Sequence, residues 1–269
     1  MNLQLVRERD ISLIRPDWPD LPANVHAFST TRVGGVSLAP FDNGSGFGGL
    51  NLGDHVGDDP LHVSQNRTLL NTLLPSNVIF LSQIHGNMVI DASGLHAHSS
   101  QSVEADACYT KQKGVVAAVL TADCLPILVA SLDGRMVAAI HAGWRGLANG
   151  VIENTIQALR EQGAGELSTW LGPAIGPNAF EVGQDVYVEF AKKIPQLDRF
   201  MKPRGIAVVA DAKPKYDMDI YGLAREILRQ LGVLRVHGGT YCTVTQSDLF
   251  FSFRRDQRTG RMANLIWLA

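Results

Sequence analysis

Two predominantly apolar runs in the middle of the chain, residues 127–132 and 135–140, are separated by the dipeptide Asp133-Gly134. An Asp-Gly pair between two such runs is the typical signal of a β-hairpin closed by a two-residue turn. The pattern therefore predicts two antiparallel strands in which the numbers of directly opposed residues sum to 267.

The predicted hairpin brings a thiol and an imidazole to one face of a sheet. In this register His141 lies opposite Pro126, and Cys124 lies two residues before Pro126. Side chains alternate along a strand, so Cys124 and Pro126 share a face. Diagonal neighbours have Cβ atoms roughly 7–8 Å apart, a separation from which a thiolate and an imidazole can reach one metal ion. The sequence therefore predicts a metal or catalytic site at this end of the hairpin.

The rest of the chain alternates between helical and extended patterns. Apolar residues at helical spacing, bounded by capping or terminating residues, predict helices at 60–74, 147–162, 183–193 and 222–231. Apolar runs of β type predict strands at 25–29, 78–84, 88–90, 115–120, 170–175 and 263–268. Because strands both form hairpins and alternate with helices, we expect an α+β fold with mixed sheets. No repeat or linker divides the chain, so we expect a single domain over residues 1–269.

The composition limits the classes of function. The chain has 269 residues, 45% hydrophobic content and a net charge of −2, which argues against a nucleic-acid partner. Charged residues interrupt the first ten positions, and no apolar run approaches the roughly 18–20 residues of a membrane helix. The odd number of cysteines, three, fits a reducing compartment better than a disulfide framework. We therefore expect a cytoplasmic protein with no membrane partner.

A mononuclear metal site needs a third ligand, and His85 is the best candidate because it follows a predicted strand and precedes Gly86. Two imidazoles and one thiolate with an open fourth position are typical of catalytic zinc. Without a metal, the hairpin pair is a Cys–His dyad with Cys124 as nucleophile and His141 as base. Both interpretations require Cys124 as the thiolate, so the residues alone leave the two open.

Several segments, read together with the hairpin, resemble one protein family. The chain is similar to the YfiH family, also labelled the laccase-like or multicopper polyphenol oxidase family. The matching segments follow in order along nearly the whole chain and are 31–37, 50–53, 82–86, 121–124, 141–146, 172–177, 180–183, 242–243, 250–255 and 259–262.

The resemblance implies a fold of mixed β-sheets packed as a sandwich and flanked by helices, related to cysteine hydrolases of toxin domains. It also implies that His85, Cys124 and His141 bind a metal ion, zinc with copper as the alternative. The implied activity is phosphorolysis of adenosine, inosine and 5′-methylthioadenosine, with adenosine deamination alongside. The expected partners are therefore purine nucleosides and phosphate.

Phosphorolysis requires a positively charged group for phosphate, and arginine suits this role because its guanidinium binds oxyanions through two donors. Arg32 lies in a glycine-rich stretch, and Arg145 follows His141 by four residues. We expect both to bind substrate or phosphate, together with Asn51 in a matching segment. Four further arginines are interpreted as a solvated turn: Arg254, Arg255, Arg258 and Arg261.

Two other activities stay open. Some family members are described as peptidoglycan editing factors, so a hydrolase or amidase acting on cell-wall precursors is the first alternative. A copper-loaded polyphenol oxidase is the second, although a multicopper oxidase uses several His-x-His pairs and this chain has one, His96 and His98, among eight histidines. For deamination, the His-x-Glu motif of cytidine deaminases is absent, and Glu181 is the candidate proton donor.

Overall fold

The computed structural model describes residues 5–8, 10–94, 103–204 and 214–269. Fifteen strands occur in these residues: β1 (Leu5–Glu8), β2 (Ile11–Ile14), β3 (Val25–Thr30), β4 (Val33–Ser37), β5 (Val89–Asp91), β6 (Ala107–Thr110), β7 (Val116–Thr121), β8 (Leu125–Ser131), β9 (Val137–Ala142), β10 (Leu167–Leu171), β11 (Glu181–Gly183), β12 (Met201–Pro203), β13 (Lys215–Met218), β14 (Arg235–Gly238) and β15 (Met262–Leu268).

The described ranges also contain six α-helices: α1 (Pro60–Asn71), α2 (Trp144–Asn149), α3 (Val151–Glu161), α4 (Gln184–Ala191), α5 (Ile220–Gln230) and α6 (Phe253–Asp256). Helix α1 begins as its sequence predicts, because the Asp59 side chain accepts a hydrogen bond from Leu61 N and a proline occupies the first turn. No helix in the described parts of the chain is long and apolar enough to cross a membrane.

The strands form three sheets. The strand order is β1-β2-β3-β15-β7 in the first sheet, β14-β10-β8-β9-β6-β5 in the second and β11-β13-β12 in the third. In the second sheet β10 is parallel to β14 and β5 is parallel to β6, whereas β8 is antiparallel to both β9 and β10. These mixed sheets, flanked by helices, confirm the predicted α+β class.

The first two sheets pack face to face, and helices cover their outer surfaces. Strand β8 shows the reason: Leu128 and Ala130 belong to the core between the sheets, whereas Ile127 and Val129 belong to the core beneath the helices. Side chains alternate along a strand, so both faces of β8 are buried and every position of the strand is apolar or small. The outer face of the first sheet is covered by residues that include Leu70 of α1.

The predicted hairpin register is confirmed. Leu125 pairs with Ala142 and Pro126 with His141, so the numbers of opposed residues sum to 267 as expected from the turn. The turn itself is closed by a hydrogen bond from Gly134 N to Ser131 O. The register places His141 at the end of β9 that adjoins the start of β8.

Two predicted elements are wrong. The helix predicted at 147–162 is two helices, because Gly150 has a left-handed φ of 92° that ends α2 and begins α3. The strand predicted at 78–84 is absent, and in that segment only Ser82 makes a β-bridge, with Glu104. The backbone amides of residues 84–86 bind the Asp106 carboxylate instead of a neighbouring strand.

Candidate active site

The chain crosses from the first sheet to the second between β7 and β8, and Cys124 lies in this crossing. The preceding residue, Asp123, has a left-handed φ of 95°, which is uncommon for a residue other than glycine. Its carboxylate accepts hydrogen bonds from Thr243 Oγ1 at 2.5 Å and from Arg254 N at 2.6 Å. These contacts stabilise the turn that brings Cys124 to the wall of a cavity, and they give Asp123 a structural role.

His141 is held by a buried carboxylate. Its Nδ1 lies 2.8 Å from Oδ1 of Asp106, and its backbone N–H donates to the Asp106 carbonyl at 2.7 Å. The Asp106 side chain is fully buried and that of His141 is nearly so. Because Nδ1 is bound to Asp106, Nε2 is the ring nitrogen left for a metal ion or for Cys124.

The same carboxylate holds the loop that carries His85. Asp106 accepts hydrogen bonds from Ile84 N at 3.3 Å, His85 N at 3.0 Å and Gly86 N at 2.7 Å. These amides explain why the loop turns sharply at His85, whose φ is 59°. A second tie comes from the Gln83 side chain, which pairs with both backbone groups of Leu120 at 2.7 and 2.8 Å.

The structure brings the three predicted ligands together. One donor atom each from His85, Cys124 and His141 lies within 4.8 Å of the others. Cys124 Sγ is 3.7 Å from His85 Nε2, and the two imidazole rings are 4.9 Å apart at 75°. A Cβ added to Gly143 would lie 2.8 Å from His85 Cδ2 and 3.1 Å from Cys124 Sγ, so only glycine fits beside this group.

The charges of the group favour a thiolate. Burial opposes ionisation of Cys124, but the charge of His141 and hydrogen bonds from both histidines lower its pKa to about 6. Burial likewise disfavours a charged His141, but Cys124 and Asp106 raise its pKa to about 9. The thiolate is the form of cysteine that binds a metal or acts as a nucleophile, so the low pKa of Cys124 suits both predicted chemistries. A metal ion bound to His141 would displace the proton from Nε2.

The three side chains open into a cavity of about 350 Å³. Most of its wall is apolar or aromatic, formed by Leu120, Trp144, Ile175, Phe180, Ile220 and Phe253. Its polar wall includes His55, Gln83, Arg254 and Arg261. A mainly apolar cavity with a few convergent polar groups is typical of a small-molecule site.

The structure places the predicted anion-binding arginines outside this cavity. Arg32 is 7% exposed, and its guanidinium donates to the carbonyls of Asp42 and Ser247 and lies over Phe251 at 5.0 Å. Arg145 is exposed and lies over Trp144 at 4.4 Å without lining the cavity. The geometry therefore gives Arg32 a structural role and leaves Arg145 at the surface.

Asn51 is fully buried and does not belong to the cavity wall. Its side chain donates to Gly53 O and Asp58 Oδ2 and accepts from Gly53 N and Arg261 N. The arginines interpreted as a solvated turn are divided: Arg254 and Arg261 line the cavity, whereas Arg258 is exposed and donates to Gly57 O.

Other candidates lie elsewhere. The Glu181 carboxylate pairs with Arg204 at 3.0 Å and with Lys215 at 3.4 Å, and Glu181 does not line the cavity. His96 and His98 are outside the described residues.

Sequence reasoning missed Asp106, although an acidic residue between two alanines at the start of an apolar strand is a usable signal of a buried carboxylate with a dedicated partner.

Comparison with known proteins gives a consistent picture. Residues 26–269 match the family described as multi-copper polyphenol oxidoreductase laccase. The chain is 46% identical over 258 residues to the Escherichia coli protein named purine nucleoside phosphorylase YfiH, covering 95% of this chain and 98% of that protein. It is 44% identical over 256 residues to a Haemophilus influenzae protein named purine nucleoside phosphorylase, covering 94% and 98%.

Solved structures share the fold. The crystal structure of a Neisseria meningitidis protein is 43% identical, with a TM-score of 0.83 over 97% of this chain and 99% of that chain. The crystal structure of YlmD from Geobacillus stearothermophilus is 30% identical, with a TM-score of 0.82 over 98% of both chains. These matches confirm the resemblance and the fold that the sequence predicted.

Proposed function

This chain belongs to the multi-copper polyphenol oxidoreductase laccase family, and from that premise we propose that it is an enzyme that phosphorolyses purine nucleosides. Relatives 44–46% identical over almost the whole chain carry the name purine nucleoside phosphorylase. The observation that carries the proposal is the cavity of about 350 Å³, with aromatic walls and with Cys124, His85 and His141 along one side. Its volume is within the range of small-molecule sites.

The metal proposal rests on the donor set. Two imidazoles and one thiolate within 4.8 Å of one another, beside a cavity, suit zinc with one position left for a reactant. The contact between Asp106 and His141 Nδ1 supports a metal-binding role for Nε2. When bound, zinc would supply a Lewis acid that polarises a substrate oxygen or activates a water molecule.

Copper is the other metal that this donor set accepts, because Cu(II) binds nitrogen and sulfur ligands more tightly than zinc does. A copper-loaded form is the route to the phenol oxidation that the family description suggests. The described residues contain one group of three such donors, which fits a single metal ion.

The proposed reaction joins a phosphate oxygen to C1′ of the nucleoside and breaks the bond from C1′ to N9 of the purine. The purine leaves with the bonding electron pair and takes up a proton, giving ribose 1-phosphate and the free base. The apolar side chains Leu120, Ile175 and Phe180 would bind the base and exclude water, so that phosphate rather than water reaches C1′. His55, an imidazole in the cavity wall, is the residue that we propose to exchange the proton.

We also propose adenosine deamination at the same cavity, in which water replaces the amino group at C6 and ammonia leaves. Glu181 does not line the cavity, which makes it unsuitable as the proton donor. His55 is the better candidate because it lines the cavity.

The three cysteines are free thiols, which supports the cytoplasm as the place of reaction.

A second function is favoured by one observation. A cysteine hydrolase uses a thiolate, an imidazole and a carboxylate in sequence, and Cys124, His141 and Asp106 supply these groups. His141 Nδ1 lies 2.8 Å from Asp106. The same residues would then act on an amide of a cell-wall precursor, with Cys124 as the nucleophile. Stoichiometric zinc in the purified protein would argue against this reading, because the metal would engage the thiolate.

The deciding experiment uses purified protein of measured metal content, incubated with inosine and phosphate. We expect hypoxanthine and ribose 1-phosphate to form in equal amounts only when phosphate is present. Free ribose in the absence of phosphate would indicate a hydrolase. Failure to consume inosine or adenosine by the zinc-loaded protein would overturn the proposed function.

A further inference from the structure

Arg261 brings a positive charge into the cavity beside Cys124. It lies at the start of β15, is half-buried and lines the cavity together with Cys124 and His55. Its Nη1 donates to the carbonyls of Thr259 and Gly260, both at 3.1 Å. Nε and Nη2 have no acceptor within the described residues, so these two donors are available to a ligand.

Residues 51–53 contact the backbone and the aliphatic part of the Arg261 side chain. Asn51 Oδ1 accepts hydrogen bonds from Arg261 N at 2.9 Å and from Gly53 N at 3.0 Å. Leu52 N donates to Arg261 O at 3.1 Å. A Cβ at Gly53 would lie 2.7 Å from Arg261 Cγ, so the glycine leaves the space that the arginine stem occupies. The guanidinium is therefore held in place before a ligand binds.

Arg254, the other arginine of the cavity, is engaged differently. Both of its Nη atoms donate to Glu181 O at 3.0 Å, and its guanidinium lies over Phe180 at 5.4 Å. Its backbone N–H binds Asp123. These contacts use its donors to shape the aromatic wall, which leaves Arg261 as the better-prepared anion ligand.

We propose that Arg261 binds the phosphate co-substrate and that Asn51 is its positioning residue. The inference rests on the proposed phosphorolysis, which needs an oxyanion bound next to C1′ of the nucleoside. A preorganised guanidinium with two adjacent free donors matches two oxygens of phosphate. Its charge also offsets the repulsion between phosphate and the Cys124 thiolate.

The test compares Arg261→Gln with Arg258→Gln in zinc-loaded protein. The Arg258→Gln variant removes the same charge from the same segment, but Arg258 is exposed and does not line the cavity. We measure inorganic phosphate binding by titration calorimetry and the KM values for phosphate and inosine. For Arg261→Gln we expect phosphate binding to weaken and the phosphate KM to rise at least tenfold, about 1.4 kcal/mol. The inosine KM should stay within twofold, and Arg258→Gln should match the wild type.

Each outcome decides the inference. The inference would be overturned if the wild type and Arg261→Gln bound phosphate with equal affinity, or if the wild type did not bind phosphate. Phosphate binding that is lost in Arg261→Gln, combined with no ribose 1-phosphate from the wild type, would refute the proposed function and leave the anion site standing. If Arg261→Gln does not fold, Arg261→Lys replaces it. This variant keeps the charge but loses the paired donors, so unchanged phosphate affinity would contradict the proposal.

The positioning role of Asn51 is tested in two backgrounds. Asn51→Ala should raise the phosphate KM more than the inosine KM when Arg261 is present. In the Arg261→Gln background, the same change should leave the phosphate KM nearly unaltered, because the group that Asn51 positions is gone. An equal loss of activity in both backgrounds would show a structural role only.

Discussion

The carboxylate of Asp106 binds the Nδ1 of His141 at 2.8 Å and also accepts the backbone N–H of His85 at 3.0 Å. One buried side chain therefore sets the positions of two of the three residues that we propose as metal ligands. Burial opposes the charge on Asp106, but the hydrogen bond and the charge of His141, with the amides of Gly86 and Ile84, lower its pKa. The carboxylate is thus ionised, and its negative charge supports the binding of a cation.

Asp106→Asn should weaken zinc binding. The variant keeps the volume of the side chain, but it removes the charge and places an amide nitrogen against backbone N–H groups or the His141 ring. Loss of such a partner of a metal-binding histidine costs about 10–100-fold in affinity. Competition with a chelator measures this loss. Asp20→Asn is the matched control. Asp20 Oδ2 lies 2.7 Å from His237 Nε2, and neither residue lines the cavity, so this variant should not change zinc affinity.

Cys124→Ala should remove both the bound metal and the phosphorolysis of inosine. The sulfur is the soft donor of the group and lies 3.7 Å from His85 Nε2. Metal content and ribose 1-phosphate formation measure the two losses. Cys242→Ala deletes a half-buried thiol outside the cavity wall and should retain both properties. Full turnover by Cys124→Ala would refute the assignment of this residue.

Gly143→Ala should disrupt the site with little loss of global stability. The backbone of Gly143 (φ −65°, ψ 160°) suits any residue, so the effect of a methyl group comes from its contacts. The added Cβ would lie 2.8 Å from His85 Cδ2 and 3.1 Å from Cys124 Sγ. We expect at least a tenfold loss of zinc affinity, with a nearly unchanged melting temperature of the metal-free protein. Gly165→Ala, where an added Cβ meets no atom within 4 Å, should behave as wild type.

Glu226 should make a pH-dependent contribution to stability. Hydrogen bonds from Arg229 and Gln230 lower its pKa to about 2, below its ordinary value of 4.5. A lowered pKa means that the contribution is present above about pH 4.5 and is lost as the pH falls towards 2. Urea unfolding should therefore show a larger destabilisation by Glu226→Gln at pH 7 than at pH 3. The partner Arg229 is exposed, so the ion pair is screened by solvent and the effect is small. In an Arg229→Gln background, the destabilisation by Glu226→Gln should differ less between pH 7 and pH 3. Equal destabilisation by Glu226→Gln at both pH values in the wild-type background would contradict the prediction.

The hairpin was predictable because its signal is local. The Asp133-Gly134 turn fixes which residues of β8 and β9 face one another, and this register sets the relation of His141 to Pro126. The break at Gly150 was missed because the apolar spacing of 147–159 continues across it, and a left-handed glycine leaves no mark on that spacing. The strand predicted at 78–84 does not form, and Ile84 N instead binds the carboxylate of Asp106, about twenty residues away along the chain, which local apolar spacing does not reveal.

Local patterns in the sequence predicted the α+β class, the hairpin register, the family and the three side chains that we propose as metal ligands. They could do so because turn chemistry, side-chain periodicity and short motifs depend on neighbouring residues. The roles of the other polar residues follow from the folded chain. Arg254 and Arg261 line the cavity, Arg32 and Asn51 stabilise loops through hydrogen bonds, and Asp106 joins His85 to His141. The role of a polar side chain depends on which distant groups fold against it, and residue type alone does not carry that information.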